Sequence, residues 1–165
     1  MITQFGFRNI LYIFMYLICS SCISVKLTPS IEKAKNIRFN TPGGSFEPAE
    51  IVPADQAWKS KTTGNTISYF SECVPGPVNL ERMRDDVLLS LPSARIISSE
   101  LKPFDGREGL TSLIEGKVDG IPVRMMLLVY QKNGCRYSLS LSGRSETFNE
   151  EINVYQRFTL GFKAL

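Results

Sequence analysis

From Trp58 onward, apolar and polar positions recur with two periods that divide the chain into strands and two helices. The stretch "AWKSKTTGNTISYFSEC" predicts two strands around Gly64-Asn65, a pair that tolerates the positive φ of a tight turn. Asn79 stands where a helix N-cap belongs. Leu80, Met83, Val87, Leu88 and Leu91 then share one face of a helix that runs to about Leu91, where Pro92 stops it. Four more strands follow, in "ARIISSELK", "GLTSLIEGKV", "IPVRMMLLVYQ" and "CRYSLSLSG", joined by turns at Asp105-Gly106, Asp119-Gly120 and Asn133-Gly134. Met125 to Val129 is apolar on both faces and reads as a central strand. The chain closes in a helix with Ser145 as its cap, and Phe148, Ile152, Tyr155 and Phe158 line one side. These elements predict a single α+β domain over residues 49–165, a roughly six-stranded, mainly antiparallel sheet packed by two helices on one face.

The N-terminal portion has a different pattern. Residues 22–48 show no sustained period and hold Pro29, Pro42, Gly43, Gly44 and Pro48, which predicts a flexible tether. Before it, Arg8 and no acid precede nine uninterrupted apolar residues, Ile10 to Ile18, and then the small residues Ser20 and Ser21. A bilayer-spanning helix needs about 20 apolar residues, so the run has the length of a signal-peptide core, and residues 1–21 read as that signal.

At its end, "ICSSC" resembles the lipobox of bacterial lipoproteins. The resemblance implies that Ser21 is the last residue removed and that Cys22 carries the lipid, although Cys19 stands where leucine is usual. An anchor of several acyl chains, each methylene contributing about 0.8 kcal/mol, would be practically permanent. With Ile23 rather than aspartate after the cysteine, the resemblance favours the outer membrane, facing the periplasm, over the inner membrane. The order hairpin, helix, meander, helix, together with Trp58 and the closing "FTLGF", resembles the PsbP-like fold shared with DcrB-type lipoproteins. That likeness implies a non-enzymatic binding or assembly module and assigns no partner; the lipid anchor makes the membrane, and an envelope protein or component, the expected partners.

Composition narrows the chemistry. Histidine is absent among the 165 residues, which removes the commonest neutral-pH base and the commonest nitrogen ligand for a metal, and no cofactor motif is present. The net charge of +3 is not concentrated in any basic run, so nucleic acid is not an expected partner. With Cys19 removed and Cys22 lipidated, Cys73 and Cys135 remain, each at a strand end. An oxidising compartment and an even count favour a disulfide between them, with two buried thiols as the alternative.

Candidate site residues are few. Arg107 and Glu108 flank a turn as a possible ligand clamp, and Tyr69, Phe70, Tyr130 and Tyr137 are expected to line a sheet face uncovered by helices, as a partner surface. Asp85-Asp86 read as a solvated pair. Ser98-Ser99, Ser138, Ser140 and Ser142 lack a base to activate them, so no catalytic residue is assigned. The alternative to a binding module is a small-ligand carrier or a hydrolase using carboxylates such as Glu108 with Glu115 or Asp119. Convergent carboxylates of raised pKa in a pocket would mark it.

Overall fold

The structure, a computed structural model, describes residues 32–91 and 93–165. The signal segment 1–21, Cys22 and Pro92 lie outside the described residues.

The strands are β1 (Ile37–Arg38), β2 (Phe46–Ala49), β3 (Gln56–Ser60), β4 (Thr66–Cys73), β5 (Arg95–Phe104), β6 (Arg107–Val118), β7 (Ile121–Lys132), β8 (Cys135–Arg144) and β9 (Lys163–Ala164). Helix α1 spans Leu80–Leu88 and α2 spans Ile152–Gly161. The main sheet has seven strands in the order β2-β3-β4-β8-β7-β6-β5, every neighbouring pair antiparallel, and β1 pairs with β9 in a small second sheet. The domain is α+β, as the periodicity predicts. The strand beyond the expected six is β2, which lies, except for Ala49, in the stretch read as tether. β1 lies there too, and Phe39 packs into the core against Trp58 and Tyr69, so the chain joins the domain well before residue 49.

The three predicted two-residue turns form with both central residues at positive φ: Asp105 and Gly106, Asp119 and Gly120, Asn133 and Gly134. Their twist matches that of the paired strands and sets the register of the β5-β6-β7-β8 meander. Asn79 caps α1 as predicted, its side-chain oxygen accepting from the Arg82 N–H at 2.7 Å. Ser145 is not a helix cap. The chain first makes a 3-10 turn at Phe148–Glu151, and α2 begins only at Ile152.

The two helices lie on opposite faces of the sheet, not on one. Strand alternation decides this. Leu128 and Tyr130 of β7 and Tyr137, Leu139 and Leu141 of β8 point toward α2, where Phe148, Tyr155, Phe158 and Phe162 bury against them. Leu127 and Val129 point the other way and meet Met83 of α1 with Leu91, Leu110 and Ile114. Met125 to Val129 is apolar on both sides because each side is covered. The α2 side is the larger core and is rich in aromatic rings. Phe162 packs on Tyr69 and Tyr137 at centroid distances of 5.2 and 6.0 Å, and each fully buried ring of this kind contributes about 1.5–3 kcal/mol. The Tyr155 hydroxyl donates to the Leu139 carbonyl at 2.8 Å, fixing α2 to β8.

On the other face, Leu91 seats over Gly116, where a Cβ would come 2.7 Å from Leu91 Cγ. A side chain at 116 would therefore lift the end of the α1 segment off the sheet. Cys73 and Cys135 are directly opposed on β4 and β8 and form a disulfide.

Candidate functional site

Helix α1 has nine residues and packs on β6 and β7, so it leaves the β8-β4 part of its face uncovered. Alternation in "YSLSLS" sends Tyr137, Leu139 and Leu141 into the α2 core and turns Ser138, Ser140 and Ser142 toward the open strip. β4 matches them across the ladder, Phe70 with Ser138, Ser68 with Ser140 and Thr66 with Ser142. Five hydroxyls and one phenyl ring thus form the floor of a cleft of about 510 Å³. One wall is α1, through Met83, Asp86 and Val87. The other is the loop of Ile51, Pro53 and Ala54, and Met125 and Leu127 continue the floor on β7.

The Ser68 and Ser140 hydroxyls lie 3.0 Å apart and satisfy each other. At one end of the cleft Glu72 faces Arg136, with Nη1 3.9 Å from the carboxylate, and the buried Nε of Arg136 has no partner among the described residues. The incoming N-terminal segment passes this end. The Cys73 N–H donates to the Glu32 carbonyl at 2.8 Å, Lys33 reaches Asp55 at 2.6 Å, and its ammonium sits 3.8 Å from the centroid of the Phe70 ring.

The residues singled out in the sequence fall in different places. Tyr69, Tyr130 and Tyr137 do not line an uncovered face. They are 5%, 0% and 3% exposed beneath α2 and the N-terminal segment, because α2 covers the face they share. Burial raises the phenol of Tyr130, aided by Asp105 and Tyr137, and pushes that of Tyr69 up to about 12, aided by Asp55. Phe70 lies on the opposite face and is the one member of the four that reaches the cleft. Arg107 and Glu108 are exposed at the start of β6, away from the cleft, and neither makes an ion pair with a described residue.

Glu115 is bound by Arg95 and Arg124, each at 2.8 Å, and their hydrogen bonds hold its carboxyl below the usual range. Glu108 and Asp119 sit at opposite ends of β6, about 35 Å apart at ~3.3 Å per residue, so the three acids do not converge. Asp85 pairs with Arg84 at 2.7 Å, while Asp86 stands on the cleft rim. Among the described residues no three Cys, Asp or Glu side chains gather as a metal site requires.

The cleft is missing from the sequence-based candidates, although its serines are visible there as an alternating row. What hides it is the pairing of β4 with β8, strands more than 60 residues apart, which sets the second hydroxyl row beside the first.

No protein-family profile matches the sequence, and no curated protein matches it. Solved structures share the fold. PsbP (CyanoP) from Synechocystis sp. PCC 6803 superposes with a TM-score of 0.59 at 13% identity, over 90% of this chain and 99% of that one. LpqN, involved in cell envelope biogenesis of Mycobacterium tuberculosis, gives 0.60 at 10% identity, over 82% and 86%. A Pseudomonas aeruginosa protein of unknown function, PA94, gives 0.51 at 11% identity, over 78% and 81%. The PsbP-like architecture expected from element order is therefore the one observed.

Proposed function

We propose that this chain is a lipid-anchored envelope protein whose domain binds a ligand or partner in the cleft beside α1, without catalysis. The observation that carries the binding reading is the cleft itself, an open site with mostly apolar walls and a hydroxyl floor. Its serines stand beside hydroxyls and apolar groups, the described lining holds no lysine, Lys33 against Phe70 is paired with Asp55, and the chain has no histidine, so hydrogen bonding to a guest is the chemistry they support. The carboxylate-hydrolase alternative loses its support, because its acids are dispersed and Glu115 is held ionised by two arginines. The ligand-carrier alternative merges with the main reading, since the binding surface is a cleft and not the aromatic sheet face.

The anchor reading rests on the lipobox resemblance at Cys22, and the likeness to LpqN supports an envelope setting, with the periplasmic face of the outer membrane as the preferred side. Among the described residues no helix is long and apolar enough to cross a membrane, which is compatible with attachment by lipid. Metabolic labelling with a palmitate analogue tests it. Wild type should take up label and Cys22→Ala should not; equal labelling of both, or of neither, contradicts the anchor.

A further inference from the structure

We propose that the cleft's ligand is a neutral single-chain amphiphile, an acyl chain carrying a hydroxylated head of the monoacylglycerol type. This rests on the cleft's being the binding site, and three features of its lining select the ligand.

The first is the distribution of apolar groups. Met83 and Val87 of α1 pack on Met125 and Leu127 of β7, so the side of the cleft that they border is aliphatic and includes two methionines. Thioether side chains are unbranched and adapt to irregular apolar shapes, as a flexible chain requires. The second is the hydroxyl row. Ser138, Ser140 and Ser142 repeat along β8 at about 6.8 Å, every second residue of a strand, beside Ser68 and Thr66 on β4. Ser68 and Ser140 satisfy each other, but a purely hydrocarbon guest would leave the hydroxyls of Thr66, Ser138 and Ser142 unpaired at a cost of about 1–3 kcal/mol for each one desolvated, so a guest carrying oxygens along one side is favoured. The third is charge. Arg136, Glu72 and Asp86 are the charged groups of the described lining, two acids to one cation, and Lys33 beside Phe70 is paired with Asp55, so the net negative lining disfavours a carboxylate or phosphate head.

The volume of about 510 Å³ lies in the small-molecule range of roughly 300–1,000 Å³. The proposed anchor would also put the site where such a ligand is available. Glu32 is hydrogen-bonded to Cys73 at the cleft's Glu72 end and lies ten positions after Cys22. A lipid on Cys22 would keep the cleft within about 35 Å of the bilayer surface at ~3.5 Å per residue.

The test uses the full chain in vesicles of phosphatidylethanolamine and phosphatidylglycerol containing a trace of photoreactive monoacylglycerol, with adducts mapped by peptide mass spectrometry. Adducts should concentrate on peptides holding Met83, Val87 and Met125. They should fall at least tenfold in Val87→Trp and in Ala54→Trp, which fill the cleft from opposite walls, and stay unchanged in Leu160→Trp on the exposed side of α2. Melting curves identify which filled variants remain folded, and either one suffices. A photoreactive fatty acid should label the same peptides several-fold less. Adducts spread evenly over the surface, or insensitive to the folded filled variants, overturn the proposal, and stronger labelling by the fatty acid overturns the neutral head. If no amphiphile labels the cleft while a crosslinker placed on its rim still captures a partner in cells, the ligand class is wrong and the binding site stands.

Discussion

The hydroxyls of Ser68 and Ser140 meet at 3.0 Å across β4 and β8, on the sheet face that α1 leaves open. Because both groups border the cleft, removing one frees the other to reach water. Ser140→Ala should therefore cost less than about 1 kcal/mol in urea denaturation, the net value of an ordinary hydrogen bond. A loss of 3 kcal/mol or more would mean that the serine rows hold the sheet together and are not a surface presented to a guest.

Position 143 should behave in the opposite way. A Cβ on Gly143 would collide with the buried Asn65 side chain, which is fixed by donating to the Thr147 carbonyl at 3.0 Å and accepting from the Thr147 hydroxyl. Gly143→Ala should destabilise by about 2–3 kcal/mol, as overpacking in a filled site does, and an unchanged urea midpoint would show that Asn65 moves freely.

The local elements were legible in the sequence, and their long-range arrangement was not. Asp105-Gly106, Asp119-Gly120 and Asn133-Gly134 announced the meander because the chemistry of a two-residue turn is local. Asn79 announced α1 for the same reason. Periodicity marks which side of a helix is apolar but not which face of the sheet receives it, so the helices' opposite placement was hidden, and with it the burial of Tyr69, Tyr130 and Tyr137. β1 and β2 are short, Pro42, Gly43 and Gly44 lie between them, and β2 contains Pro48. They form because β9 and β3 offer them partners, not because their own sequence favours a strand.

The Cys73–Cys135 bond joins strands separated by 62 positions. Loop-entropy reasoning gives at most about 4 kcal/mol of stabilisation. Under denaturing conditions, alkylation should add two labels in the domain only after reduction, and the reduced protein should unfold at lower urea. Two labels without reduction would contradict the bond.

The side chain of Asp105 is 6% exposed and accepts from the Ala164 N–H at 2.9 Å, with Lys132 at 3.0 Å and Lys163 at 3.7 Å. Burial pushes its carboxyl up, but the Ala164 bond and the two ammonium groups outweigh burial and hold it below the usual range. The stabilisation is thus present above the unfolded value near 4 and is lost as pH falls through the lower folded value. Asp105→Asn should lose about 1–2 kcal/mol at pH 7, discounted for the partly exposed lysines, and the gap to wild type should close below pH 4. A gap that stays constant into acid would contradict a role for the charge.

The central claim is that the anchored domain works through the cleft. Photoreactive residues placed singly at Ser90 and Ile51 on its rim, and at Leu160 on the far side of α2, test this in cells carrying the full chain. Capture at Ser90 and Ile51, abolished by Val87→Trp and absent at Leu160, is the predicted result. Capture at Leu160 alone, or capture at the rim that survives a folded, filled cleft, would contradict it.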